Sequence, residues 1–144
     1  MKKLPTIATT MTPFPHAIDC EETIARAAEM MKEHGFHHLP VTEGGELFSV
    51  ISDSEVKLVS SPFSSDADAG DVLVRDMCTD RAYIADIHDS LEYVLKVMAE
   101  RHIGSVLIRK SGRLAGILTL SDVCTKFSEL LGQLKQGSGG NDAA

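Results

Sequence analysis

Thr23-Ile24-Ala25-Arg26-Ala27-Ala28-Glu29-Met30-Met31 and Ser90-Leu91-Glu92-Tyr93-Val94-Leu95-Lys96-Val97-Met98 carry one pattern in different letters. Apolar residues fall at 24, 27, 28 and 31 in the first and at 91, 94, 95 and 98 in the second. This is the i, i+3, i+4, i+7 spacing of an amphipathic helix. A hydroxyl residue, Thr23 or Ser90, precedes each stripe, where its oxygen can accept an otherwise unsatisfied N–H of the first helical turn. A repeat of this kind dictates the architecture, so it comes before any local reading.

Outward from each helix the two halves stay in register. Phe36-His37-His38-Leu39-Pro40-Val41 and Ile103-Gly104-Ser105-Val106-Leu107-Ile108 both read as short buried strands. Gly44-Gly45 and Ser111-Gly112 then supply the positive φ angles of a hairpin leading into second strands, Leu47 to Ile51 and Leu114 to Leu118. A further helix follows in each half, from Asp53 to Val59 and from Ser121 to Leu131, the latter with an apolar stripe of Val123, Phe127, Leu130 and Leu131. Thr23 with Ser90, Phe36 with Ile103 and Ser52 with Thr119 share one offset of 67 residues. Coincidence does not hold such a register through helix, strands and turn.

Each half of the 144 residues is close to the size at which an isolated core becomes marginal, so the two sheets are expected to pack on each other. The cleft between the copies is then the natural ligand site. The fold class expected is mixed α/β (α+β), two pseudo-symmetric β-α-β-β-α repeats packed sheet to sheet. Residues 6–60 form repeat 1 and 74–132 repeat 2, with a polar linker over 61–73 and a flexible tail over 133–144.

Composition removes several classes of function. No apolar run approaches the roughly 18 to 20 residues that cross a bilayer, and Met1 to Thr6 lacks the apolar region of a signal peptide, so the chain is expected to be cytoplasmic. Cys20, Cys78 and Cys124 are an odd number without a C-x-x-C, which fits a reducing compartment and no zinc ribbon. A net charge of -7 argues against nucleic acid and against anionic membrane as partners.

Val74-Arg75-Asp76-Met77-Cys78-Thr79, then Tyr83-Ile84 and Asp86, then the helix, then Gly116-Ile117-Leu118-Thr119-Leu120-Ser121-Asp122 closely resemble the CBS domain family. The tail of that pattern, G-h-x-T-x-x-D, is its most specific part. The first copy resembles it more loosely, through Met11-Thr12-Pro13, Leu39-Pro40-Val41 and the stretch Ser49 to Glu55. The resemblance covers nearly all of the chain outside linker and tail. It implies a tandem CBS pair, or Bateman module, that binds AMP, ADP, ATP or a related adenosyl ligand and regulates an attached or partner protein. By their place in the motif, Thr79 joins the second-copy site and Thr12 the first-copy site.

The chemistry of the second motif fits that role. Asp122 can accept both hydroxyls of a ribose diol on one carboxylate. Thr119 and Ser121 stand beside it at a helix start, where free N–H groups favour a phosphate. Strand edges around Ile84 and Ser105-Val106 offer an apolar slot with backbone donors and acceptors for adenine. The same hydroxyl-and-carboxylate trio is also ordinary capping chemistry, and the two duties are compatible. In the first copy the matching residues are Ser52 and Glu55, with Ser49 in place of the glycine, so a second and weaker site would comprise Thr12, His37, His38, Ser52 and Glu55.

His37 and His38, read as strand neighbours, point to opposite faces and do not chelate one ion, so no metal site is expected, although His37 can approach a phosphate. No required cofactor and no catalytic constellation is evident, with neither G-x-S-x-G nor a P-loop lysine, so an enzyme is not expected. The ligand that the resemblance implies is an adenine nucleotide in regulatory use, with S-adenosylmethionine and NAD as alternatives, and a ligand-free structural or dimerisation adaptor is the competing role. The regulated protein is expected to lie in a separate, unidentified chain. Apolar helix residues beyond those the sheets need, Met30 and Val97 among them, lead to a homodimer as the expected assembly.

Overall fold

The structure, a computed structural model, describes residues 3–13, 16–60, 71–78 and 80–137. The chain order is α1 (Ile7–Thr10), β1 (Thr12–Pro13), β2 (Ile18–Asp19), α2 (Ile24–His34), β3 (His38–Glu43), β4 (Glu46–Ser52), α3 (Asp53–Ser60), α4 (Val74–Met77), β5 (Ile84–Asp86), α5 (Leu91–Arg101), β6 (Ser105–Lys110), β7 (Arg113–Thr119) and α6 (Leu120–Gly137). Moved by 67 residues, α1 falls on α4, α2 on α5, β3 on β6, β4 on β7 and the start of α3 on that of α6. The mixed class and the tandem repeat are thus the observed fold.

Local chemistry accounts for the match. Thr23 Oγ1 accepts the N–H of Arg26 at 3.1 Å and Ser90 Oγ that of Tyr93 at 3.2 Å, so both long helices start on a hydroxyl cap. Both end on a left-handed residue, Gly35 or His102. Gly44-Gly45 and Ser111-Gly112 have positive φ at both central positions, the geometry whose twist suits a two-residue hairpin. Even the ladder irregularity recurs, between Val41 and Thr42 and between Ile108 and Arg109.

Two compact units form, one from residues 14–84 and the other from residues 1–13 together with 85–144. In the first, β2 runs parallel to β3, and β3 antiparallel to β4. Here Ile24 N–H donates to Val72 O at 2.7 Å and Thr23 bridges Leu73, so the end of the stretch read as a linker is already paired. Residues 61–70 of that stretch lie outside the described residues, as do 138–144 of the tail.

In the second unit the sheet order is β1-β7-β6-β5. Val106, Leu107 and Ile108 on β6 are all fully buried, which explains their uninterrupted apolar run. The edge strand β1 comes from the start of the chain, Thr12 opposite Ile117 and Pro13 opposite Gly116. A Cβ on Gly116 would stand 2.6 Å from the Thr12 carbonyl oxygen, so only glycine admits β1 there.

Three expectations are corrected. The first strands begin at His38 and Ser105 because the two residues before each complete the helix exit, Phe36 N–H bonding Met31 O and Ile103 N–H bonding Met98 O. The last helix continues to Gly137, so residues 133–137, read as tail, are helical; Gly132 does not break it and Leu134 extends its apolar pattern. Val97 is 5% exposed and belongs to the core, while Tyr93 is the apolar residue that α5 exposes.

Gly116→Ala is expected to lower the free energy of unfolding by about 1 to 3 kcal/mol through overpacking against β1. Urea denaturation reads this, and an unchanged midpoint would place β1 elsewhere.

Candidate functional site

The second motif sits where β7 passes into α6. Asp122 Oδ2 accepts the Thr119 backbone N–H at 2.8 Å and the Thr119 hydroxyl at 3.0 Å, and the Asp122 N–H donates back to Thr119 Oγ1 at 3.3 Å. This reciprocal pair satisfies donors at the helix start as a capping box does. The other carboxylate oxygen, Oδ1, accepts the Thr12 hydroxyl at 2.8 Å. Asp122 therefore holds three donors from β1 and β7 at once, and capping is its observed duty.

Across the ladder Ser105 lies opposite Thr119 and Val106 opposite Leu118. Ser105 is half-buried, whereas Val106 is fully buried and can offer a ligand only its backbone. Ser121 is exposed on the first turn of α6. Ile84, half-buried, starts β5 on the far side of β6. Thr79 lies outside the described residues. The structure thus brings together Ser105, Thr119, Ser121 and Asp122, and adds Thr12. Sequence reasoning grouped Thr12 with Ser52 and Glu55, but its hydroxyl lies on Asp122.

In the first copy Glu55 Oε1 accepts the Ser52 N–H at 3.2 Å and the Ser52 hydroxyl at 2.9 Å, and the Glu55 N–H donates to Ser52 Oγ at 3.3 Å. The longer acid reproduces the cap. The position of Gly116 is taken by Ser49, 5% exposed, whose hydroxyl donates to the Asp80 carbonyl at 2.8 Å. One copy thus admits a bare backbone where the other interposes a side chain.

His38 lies opposite Ser52 in the ladder. His37 precedes the strand instead of sharing it; its exposed ring donates from Nδ1–H to Asp53 Oδ2 at 2.9 Å, and Lys57 Nζ stands 3.7 Å from the same oxygen. The His37 hydrogen bond holds the Asp53 carboxyl below its usual range, helped by the charges of Lys57 and His37 and opposed by partial burial. His37 is thus committed to a carboxylate.

Burial pushes the Cys78 thiol up, a hydrogen bond with Ser49 works the other way, and the charges of Glu55 and Cys20 add to the rise, so Cys78 is protonated and unreactive at neutral pH. His16 and His34 stack at 4.5 Å between ring centroids, and both lie against Phe36, an arrangement of faces that does not converge nitrogens on an ion. Among the described residues no three His, Cys, Asp or Glu side chains form a metal-holding group.

The CBS domain family model matches residues 6–60 and 74–129. Hypoxic response protein 1 of Mycobacterium tuberculosis is 27% identical over 109 residues, 75% of this chain and 75% of that protein. The solved structure of CBSX2 in complex with AMP is similar at a TM-score of 0.66 and 21% identity, over 87% of this chain and 97% of that one. That of the CBS domain pair of protein MJ0100, in complex with 5′-methylthioadenosine and S-adenosyl-L-methionine, is similar at a TM-score of 0.72 and 18% identity, over 88% and 98%. At such identities the two structures speak for the fold alone.

The lowered Asp53 value gives a signed pH dependence. A carboxylate held below its unfolded value stabilises the fold above about pH 4, and that contribution is lost as pH falls through the lowered value. His37→Gln is expected to raise the Asp53 midpoint in a carbon-13 carboxyl titration. The stability difference between parent and variant should shrink below about pH 4, and a midpoint that does not move would exclude the His37 bond as its cause.

Proposed function

The chain belongs to the CBS domain family, and from that premise we propose that it is a ligand-sensing regulatory module. It binds an adenine nucleotide through the second-copy motif and transmits the bound state to a separate regulated protein. The observation that carries this reading is the assembly of Thr12, Ser105, Thr119 and Asp122 at one end of a sheet, where Gly116 lets β1 pack close enough to bring Thr12 to Asp122. A carboxylate has about four lone-pair directions, so Asp122 can accept ribose hydroxyls while Thr119 keeps its cap, a ligand oxygen taking the place of Thr12 on Oδ1. Exposed hydroxyl and N–H groups on the first turn of α6, around Ser121, suit a phosphate.

Support also comes from the adenosyl ligands held by CBSX2 and the MJ0100 pair, AMP in one and 5′-methylthioadenosine with S-adenosyl-L-methionine in the other. The shared chemistry is the adenosyl group, and the reading assigns no catalytic step to the chain. The first copy binds weakly in this account, because Ser49 occupies the glycine position and Asp53 meets an incoming phosphate with its own negative charge. A homodimer in a reducing cytoplasm completes the proposal, in keeping with three free cysteines. Among the described residues no helix is long and apolar enough to cross a membrane.

Asp122→Ala is expected to weaken adenine nucleotide binding by about 30-fold to 1,000-fold, the loss of a carboxylate that holds two hydroxyls. Glu55→Ala should change it by less than about tenfold. Calorimetry of both variants against AMP, ADP and ATP, with circular dichroism as the folding control, decides the matter. Undiminished binding by folded Asp122→Ala sinks the site, and heat from neither the parent nor the variants favours the ligand-free adaptor.

A further inference from the structure

Moved by 67 residues, the groove between α2 and α3 falls on the groove between α5 and α6. Their floors match. Ala28, Met31 and Val56 in the first unit stand where Leu95, Met98 and Val123 stand in the second. The rims do not match. Lys32, His37, Asp53 and Lys57 line the first groove, at positions that the second repeat fills with Ala99, Gly104, Leu120 and Cys124. The first repeat therefore has an apolar floor under an ionic rim where the second has an apolar groove throughout. Its volume, about 530 Å³, lies within the range of small-molecule sites, about 300 to 1,000 Å³.

The charges on this rim are unequal. Lys32 comes from α2 and Lys57 from α3, one ammonium group on each wall, against the single carboxylate of Asp53. That carboxylate is already engaged, by His37 at 2.9 Å and by Lys57 at 3.7 Å. Lys32, exposed on the last turn of α2, has no ion-pair partner among the described residues.

This combination selects an occupant by its chemistry. A wholly polar anion would leave the apolar floor against water, and a cation would meet two ammonium groups. An apolar helix laid across the groove would strip water from Lys32, Asp53 and Lys57 and offer them no partner. A molecule with an apolar body and one carboxylate satisfies both parts. Its body covers Ala28, Met31 and Val56, while its carboxylate stays at the wet rim beside the two lysines, whose aliphatic stems pack along the body.

We propose that the groove between α2 and α3 binds an amphiphilic monocarboxylate, an apolar chain or ring bearing one carboxylate. It lies in the first unit and the Asp122 motif in the second, so this site does not rest on the nucleotide reading.

Octanoate titrated into protein with carbon-13-labelled methionine methyl groups tests it, because Met31 reports from this floor and Met98 from the equivalent one. The Met31 signal is expected to shift saturably while Met98 stays in place. Octylamine, of equal chain length and opposite charge, should bind at least about tenfold more weakly. Lys32→Gln and Lys57→Gln together should lower the octanoate affinity about tenfold. Ala28→Phe, which fills the half-buried floor, should abolish the shift, and Asp122→Ala should leave it unchanged. Circular dichroism checks that each variant stays folded. A Met31 signal that does not move, Met98 moving with it, or octylamine binding as well as octanoate overturns the assignment. So does parent-like affinity in the folded lysine variant or in folded Ala28→Phe, or loss of the shift in Asp122→Ala. Met31 shifts that follow protein concentration instead of octanoate give the groove to a second copy and overturn it as well.

Discussion

The backbone of β1 lies so close to β7 that a single added carbon on Gly116 would meet the Thr12 carbonyl oxygen at 2.6 Å. That approach closes the edge of the four-stranded sheet and delivers the Thr12 hydroxyl to Asp122. It also draws the first residues of the chain into the unit of the second repeat. The matching segment before the second repeat pairs into the other unit, Val74 N–H donating to Glu22 O and Ala82 N–H to Phe48 O. Each repeat is therefore finished by the leader of the other. The two copies share this plan and differ at its tightest point, glycine in one and Ser49 in the other, where the serine hydroxyl donates to the Asp80 carbonyl of the crossing segment.

From this single difference the two motifs diverge in chemistry while keeping one backbone. Both place a hydroxyl and a carboxylate three residues apart, and both close a reciprocal cap. Asp122 uses both oxygens and gathers a strand from outside its own repeat. Glu55 closes its cap through one oxygen, and the helix it starts carries an ion cluster at its mouth. A cap alone is compatible with either acid, since its geometry asks only for an acceptor one turn into the helix. A second hydroxyl on the same carboxylate asks for the shorter and stiffer side chain, and the aspartate stands where that demand exists.

What was legible in the sequence was local. Amphipathic spacing, hydroxyl caps and hairpin turns each depend on residues within a few positions, and the 67-residue offset multiplied every such signal by two. The partner of Thr12 was not legible, because it stands 110 residues away and nothing in Met11-Thr12-Pro13 says which of two similar sheets it joins. The partner of the His37 ring was hidden for the same reason, since Asp53 stands 16 residues further along the chain. The length of α6 was misread because its apolar stripe was followed only to Leu131. A single glycine weakens a helix by less than the flanking turns stabilise it, and the chain gives no real break before Gly137. Val97 was read as surplus because a narrow stripe was assumed, whereas a helix lying over a sheet buries a broader face.

The cap and the exposed face of α6 are linked by helical geometry. Fixing Asp122 by donors from two strands sets both the first residue of the helix and its rotation about its own axis. Once that rotation is set, each later residue points where the helical repeat sends it, about 100° per residue. Leu120 and Val123 then line the groove beside α5, Leu130 lies beside Leu4 and Pro5, and Phe127 and Leu131 stay exposed. A cap held by one neighbouring residue would leave the first turn free to fray and the phase of the helix loose. Three donors, one of them from a strand that begins over a hundred residues earlier, keep an 18-residue helix aligned although none of its residues is fully buried. The carboxylate at the candidate site is thereby also the group that determines which face α6 presents to solvent.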